Sequence, residues 1–127
     1  ETVESNAAAT GHATANLAEW RGASAATARV DQYLAHLERD ATHLDREGIS
    51  RGTVILDPPR SGAGKDVVDR IAGFAPAQLI YVACDPVALA RDTGLLLAHG
   101  YALEWMRAYD LFPNTHHFET IARFARA

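Results

Sequence analysis

Short apolar runs alternate with longer stretches of helical periodicity along this chain, which predicts an α/β domain with a mostly parallel sheet. Thr2-Val3 reads as the tail of a strand ending at Glu4. The Ala-rich, Pro-free stretch from Asn6 to Trp20 reads as a helix, with Ser5 or Asn6 as its cap. Ala26 to Val30 is a short strand candidate. Gln32 to Glu47 is helical, with Tyr33, Leu34, Leu37 and Leu44 on one face and Gly48 as its stop.

The second half of the chain is punctuated more sharply. Thr53-Val54-Ile55-Leu56 is an apolar run of buried-strand type, and Asp57-Pro58-Pro59-Arg60 ends it because two prolines suit neither a strand interior nor a regular helix. Lys65 to Phe74 is a helix. Gln78 to Ala83 is a second buried strand, followed at once by Cys84. Asp85 and Pro86 suit the N-cap and first position of a helix that runs to about His99 and closes at Gly100. Tyr101 to Tyr109 and Phe118 to Ala125 are the last two strands, joined by the loop Asp110 to His116.

Composition narrows the class. A length of 127 residues suits one domain, and 48% apolar with 22% charged residues is ordinary for a soluble globular protein. No apolar run is long enough to span a membrane, and the opening ETVESN lacks the basic and apolar regions of a signal peptide. A single cysteine forms no internal disulfide and no cysteine zinc site, and it fits a reducing, cytoplasmic setting. The formal charge of −4 is unlike that of a free-standing RNA binder, so any grip on RNA needs a local basic patch or another part of the protein.

Two of the strands end in compact polar motifs, at the sheet rim where open parallel sheets bind ligands. Asp57 and Cys84 hold those positions. A helix N-terminus directly after Cys84 favours a thiolate, which is the nucleophilic form, whereas the neighbouring Asp85 opposes it. A buried, inert cysteine is the alternative. Asp57 and Arg60 read equally as part of a rigid pocket wall or as a capped turn with a solvated arginine. Glu119 is either a site carboxylate or a solvated edge-strand acid. Tandem His116-His117 has no third ligand at suitable spacing, so no metal site is expected.

The segments LDPPRSGAGKDVV, YVACDPVALARD and DLFPNTHHFETIARF follow one another in that order. Together they resemble the RNA (uracil-C5) methyltransferase family, which forms 5-methyluridine in transfer or ribosomal RNA. The likeness covers roughly residues 54 to 124. VESNAAATGHATANL resembles the second strand and helix of a class I methyltransferase. The resemblance implies a Rossmann-like sheet with an antiparallel last strand inserted beside the strand that ends before Cys84.

The resemblance also implies roles and partners. Cys84 matches the family nucleophile and Glu119 the family base. Glu4 matches the acid that binds the ribose hydroxyls of S-adenosyl-L-methionine. Asp57 matches a pocket acid at the cofactor and the uracil edge, with Arg60 and His117 as supporting substrate residues. The expected partner is an RNA, transfer or ribosomal, with its target uridine extruded.

The sequence departs from the family in two places. Ala83-Cys84-Asp85-Pro86 stands where the family often has Ser-Cys-Asn-Pro. No strand with a Gly-rich cofactor loop precedes Glu4, and neither RGASA nor RSGAGK replaces it. Residues 1–127 are therefore expected to be the C-terminal part of a catalytic domain, truncated at the N-terminus and inactive alone. The absent strand would lie between the strand ending at Glu4 and that ending at Leu56. Three other readings stay open: an amino-methylating nucleic-acid methyltransferase, an RNA cytosine-C5 enzyme, and a catalytically silent binding module.

Overall fold

A computed structural model describes residues 1–111, 113–115 and 118–127. They fall into two compact units, Glu1–Asp40 and Ala41–Ala127. The first unit holds β1 (Thr2–Glu4), α1 (Ala7–Leu17), β2 (Ala25–Thr27) and α2 (Val30–Asp40). β1 and β2 pair in parallel across the α1 crossover, Thr2 with Ala25 and Glu4 with Thr27. Asn6 is the N-cap of α1, its Oδ1 accepting from the amides of Ala8 at 2.9 Å and Ala9 at 3.1 Å. β2 ends at Thr27, short of the expected Val30, because Val30 already opens α2.

The second unit holds α3 (His43–Arg51), β3 (Thr53–Leu56), α4 (Gly64–Gly73), β4 (Gln78–Ala83), α5 (Pro86–Ala98), β5 (Tyr101–Tyr109) and β6 (Glu119–Arg126). The single helix expected over residues 32–47 is thus two helices. Thr42 stops the run. Its Oγ1 accepts from the Asp45 amide at 3.2 Å while Asp45 Oδ2 accepts from the Thr42 amide at 2.9 Å, a reciprocal capping box that begins a new helix. Gly48 lies inside α3, which ends at Arg51 with Gly52 as its C-cap. Leu44, expected on a buried face, is exposed.

The four-stranded sheet has the order β3-β4-β6-β5. β3 and β4 are parallel, and β6 runs antiparallel to both its neighbours. β3, β4 and β5 therefore share one direction and β6 alone opposes it, as the class I methyltransferase pattern requires. β3 and β5 are the edges of this sheet.

One face of the sheet is dry. Leu79, Tyr81, Ala83, Ala122 and Phe124 point into a core shared with Val68 and Ile71 of α4 and Leu89 and Leu96 of α5. The other face is not. Ile55 is 69% exposed, so β3 is buried on one side only, contrary to the expectation for so apolar a run. No helix among the described residues is long and apolar enough to cross a membrane.

Candidate active site

β4 delivers Cys84 to the rim. Its alternation buries Leu79, Tyr81 and Ala83 and leaves the next residue, Cys84, partly exposed. Asp85 then caps α5, its Oδ1 accepting from the Ala88 amide at 2.8 Å, and Pro86 takes the first turn, where no amide donor is needed. The Asp85 carboxylate is thus engaged by the helix start. The thiol sits immediately before the positive end of a 13-residue helix dipole.

β6 brings Glu119 to the same place. The antiparallel register pairs Val82 with Ile121 and Ala83 with Thr120, where the ladder ends, and Cys84 and Glu119 are the next residues beyond that last pair. The last paired positions, Ala83 and Thr120, have Cβ atoms about 5 Å apart, and the chain carries Cys84 and Glu119 on from there. On its other side Glu119 pairs with Tyr109 of β5, and it is half-buried between its neighbours.

Asp57 shares this rim, one strand away. β3 pairs with β4 up to Leu56 and Tyr81, so Asp57 leaves the sheet beside Val82. Cys84 projects two residues, ~7 Å, further along the strand direction. The two are therefore staggered neighbours, further apart than adjacency of their strands alone suggests. Arg60 is exposed at the corner of a turn closed by the Gly62 amide and the Pro59 carbonyl at 2.8 Å.

Behind that turn lies a polar cluster whose members fall inside the segments DPPRSGAGK and YVACDPVALARD, though the resemblance assigns those residues no role. Asp92, on α5, is fully buried. Its Oδ2 accepts from the Tyr81 hydroxyl at 2.6 Å and from the amides of Ala63 at 2.8 Å and Gly64 at 3.2 Å. Its Oδ1 accepts from Arg91 Nε at 2.9 Å and Nη2 at 2.8 Å, and Nη2 also donates to the Ser61 carbonyl at 2.8 Å. The available signal is an acid on the core stripe of a helix, in line with Ala88, Leu89 and Leu96.

Burial acts to raise the Asp92 pKa, but the donors from Tyr81, Arg91 and the two amides together outweigh it and hold the carboxyl below its ordinary 3.8. A carboxyl depressed on folding contributes stability that is complete above the unfolded value and is lost as pH falls through the folded one. Wild-type stability should therefore fall in acid below about pH 3.8. In Asp92→Asn this contribution is absent, so the gap between the two proteins should narrow there, as acid denaturation curves will show.

Glu4 ends β1 in the first unit, exposed, its Oε1 accepting from the Asn6 amide at 2.6 Å and Ser5 Oγ at 3.2 Å. Those bonds, the Asn6 amide first, lower its pKa and keep it ionised. A carboxylate so placed suits the two hydroxyls of a ribose. His117 lies outside the described residues. Among the described residues no three His, Cys, Asp or Glu side chains are grouped to hold a metal ion.

Comparison with known proteins gives these features a context. A model of the tRNA (uracil-5-)-methyltransferase family matches residues 26–126. An uncharacterized RNA methyltransferase of Bifidobacterium longum is 42% identical over 97 residues, which are 76% of this chain and 22% of the relative. One of Thermotoga maritima is 48% identical over 67 residues, 53% of this chain and 15% of the relative. The chain thus spans about a fifth of the length of such relatives. The tRNA (uracil-54, C5)-methyltransferase of Pyrococcus abyssi, solved with S-adenosyl-L-homocysteine, superposes with a TM-score of 0.70 at 30% identity over 97% of this chain and 28% of its own. M1.HpyAVI, solved with S-adenosylmethionine, matches in fold alone, with a TM-score of 0.57 at 11% identity over 78% of this chain and 51% of its own. The chain belongs to the tRNA (uracil-5-)-methyltransferase family.

Proposed function

We propose that this chain carries the reacting centre of an S-adenosyl-L-methionine-dependent methyltransferase acting on carbon 5 of uridine in RNA, transfer or ribosomal. The observation that carries the reading is the β4–β6 register, whose last pair, Ala83 with Thr120, is flanked in sequence by the only cysteine and by a carboxylate. Residues 1–127 are in this reading the C-terminal part of the catalytic domain, and the protein works in the cytoplasm, where its RNA is.

The chemistry asks for those two groups. Carbon 5 of uracil is a poor nucleophile. Addition of the Cys84 thiolate to carbon 6 pushes the ring electrons toward oxygen 4 and makes carbon 5 nucleophilic. The cofactor, when bound, supplies an electrophilic methyl group to that carbon. Glu119 then takes the proton from carbon 5, the carbon 5–carbon 6 double bond re-forms, and the thiolate leaves. Asp57 and Arg60 face the uracil edge, with His117 as a further contact, and Asp57 also borders the cofactor. Glu4 holds the ribose of the cofactor.

The test uses the full-length protein with S-adenosyl-L-methionine and RNA containing 5-fluorouridine. Fluorine on carbon 5 cannot leave as a proton, so the wild type should accumulate a protein–RNA adduct stable to denaturation. Cys84→Ala should form none. Methyl transfer without an adduct, or transfer that survives Cys84→Ala, would refute the thiol mechanism and favour methylation of an exocyclic amine. Absence of both transfer and cofactor binding would leave a binding module.

A further inference from the structure

The loop from Asp57 to Gly64 is anchored at both ends. At one end Leu56 is paired with Tyr81 in the sheet. At the other, Asp92 accepts the amides of Ala63 and Gly64, and Arg91 holds the Ser61 carbonyl. Tyr81 serves both ends, since its hydroxyl also accepts from the Ala63 amide at 3.0 Å and donates to Asp92. Asp92 and Arg91 stand on α5, the helix that begins directly after Cys84. We propose that Asp92 is a positioning residue that fixes the Asp57–Arg60 segment relative to Cys84, and so sets where the uracil ring lies when the thiolate attacks. This rests on the uracil reading above.

Three features separate a clamp from ordinary packing. The acid is fully buried and all its acceptor capacity is directed at one loop, one tyrosine and one arginine. The loop passes the cluster at a glycine, Gly62, where an added Cβ would lie only 2.6 Å from Asp92 Oδ2 and 2.5 Å from Arg91 Nη2. Two prolines stiffen the stretch between the anchored end and Asp57, so a shift at Ser61 carries through to Arg60 and Asp57. Misplacing a reacting ring by about 1 Å costs on the order of 100-fold in rate.

Asp92→Asn tests this. The amide replaces one acceptor with a donor that opposes Arg91, releasing the Ser61 arm while one oxygen still accepts from Ala63 and Gly64. The rate of adduct formation on 5-fluorouridine RNA is measured for the full-length wild type, Asp92→Asn, Asp57→Ala and the double variant. If Asp92 acts through the loop, each single change slows the reaction by about 10- to 100-fold, and the double is hardly slower than Asp57→Ala alone. Independent, multiplying losses would mean a structural role only and overturn the proposal, as would an unchanged rate in Asp92→Asn. Should Asp92→Asn not fold, Tyr81→Phe removes one donor of the same cluster and takes its place in the cycle. Hydrogen exchange at Ala63 and Gly64, faster in the variant, reads the clamp without any chemistry. A wild type that forms no adduct, with exchange still loosened in the variant, would sink the uracil reading and the catalytic consequence of the clamp together; unchanged exchange would sink the clamp itself.

Discussion

Glu119→Gln in the full-length protein should stall on unmodified RNA with the substrate attached to Cys84. Glutamine keeps the size of glutamate and its place at the start of β6, but it cannot take a proton. Thiolate addition and methyl transfer need no base at carbon 5, so both should proceed. Release needs one, and turnover should fall by roughly 100- to 10,000-fold. The trapped species carries the transferred methyl, a mass that distinguishes it from the 5-fluorouridine adduct. Turnover within tenfold of wild type would remove Glu119 from the role of base. A deep loss with no adduct would place it before methyl transfer, in binding or in activating the thiol.

The contrast with Cys84→Ala makes the pair of variants informative. One should give no covalent species and the other too much of it. The Glu119→Gln result does not follow from destabilisation, which lowers adduct and turnover together. Cys84 and Glu119 occupy strand ends, where a substitution disturbs no buried packing, so both proteins should fold.

The approach of the end of β4 to the start of β6 is legible in the amino-acid sequence, but only through topology. A cysteine after an apolar run and a glutamate at the start of another say nothing of each other. An antiparallel last strand inserted beside β4 brings the beginning of one to the end of the other. β3, β4 and α5 are legible for a simpler reason, since Pro58-Pro59, Asp85-Pro86 and Gly100 punctuate them. The break between α2 and α3 is not, because the apolar spacing from Tyr33 to Leu44 runs on across it. The one local mark is Thr42 three residues ahead of Asp45, a capping box with aspartate in place of the usual glutamate. The full burial expected of β3 fails because an apolar run cannot say which face a neighbour covers, and Ile55 stays exposed. The Asp92 cluster is invisible to local pattern, since apart from the adjacent Arg91 its partners lie 11 to 29 positions away and only the fold assembles them.

That cluster should also make Gly62→Ala one of the most damaging single-methyl additions in the chain. Gly62 has φ +80°, where an L side chain costs about 1–2 kcal/mol. The new methyl would meet Arg91 Nη2 at 2.5 Å, Asp92 Oδ2 at 2.6 Å and Ala88 Cβ at 3.1 Å. Arg91 is half-exposed and can swing away, at the loss of its bond to Ser61. Asp92 cannot, because Tyr81 and two amides hold it in the core. The loop must move instead, breaking charge-assisted bonds worth about 1.5–3 kcal/mol each. Gly64→Ala is the control: φ is +78°, yet nothing lies within 4 Å of the added Cβ, so only the backbone strain remains. Chemical denaturation of the full-length proteins should show Gly62→Ala destabilised by roughly 3–4 kcal/mol and Gly64→Ala by roughly 1–2 kcal/mol. Equal losses would mean that the Asp92 side chain yields easily, and the buried carboxylate would then be too soft to set the position of Asp57 and Arg60.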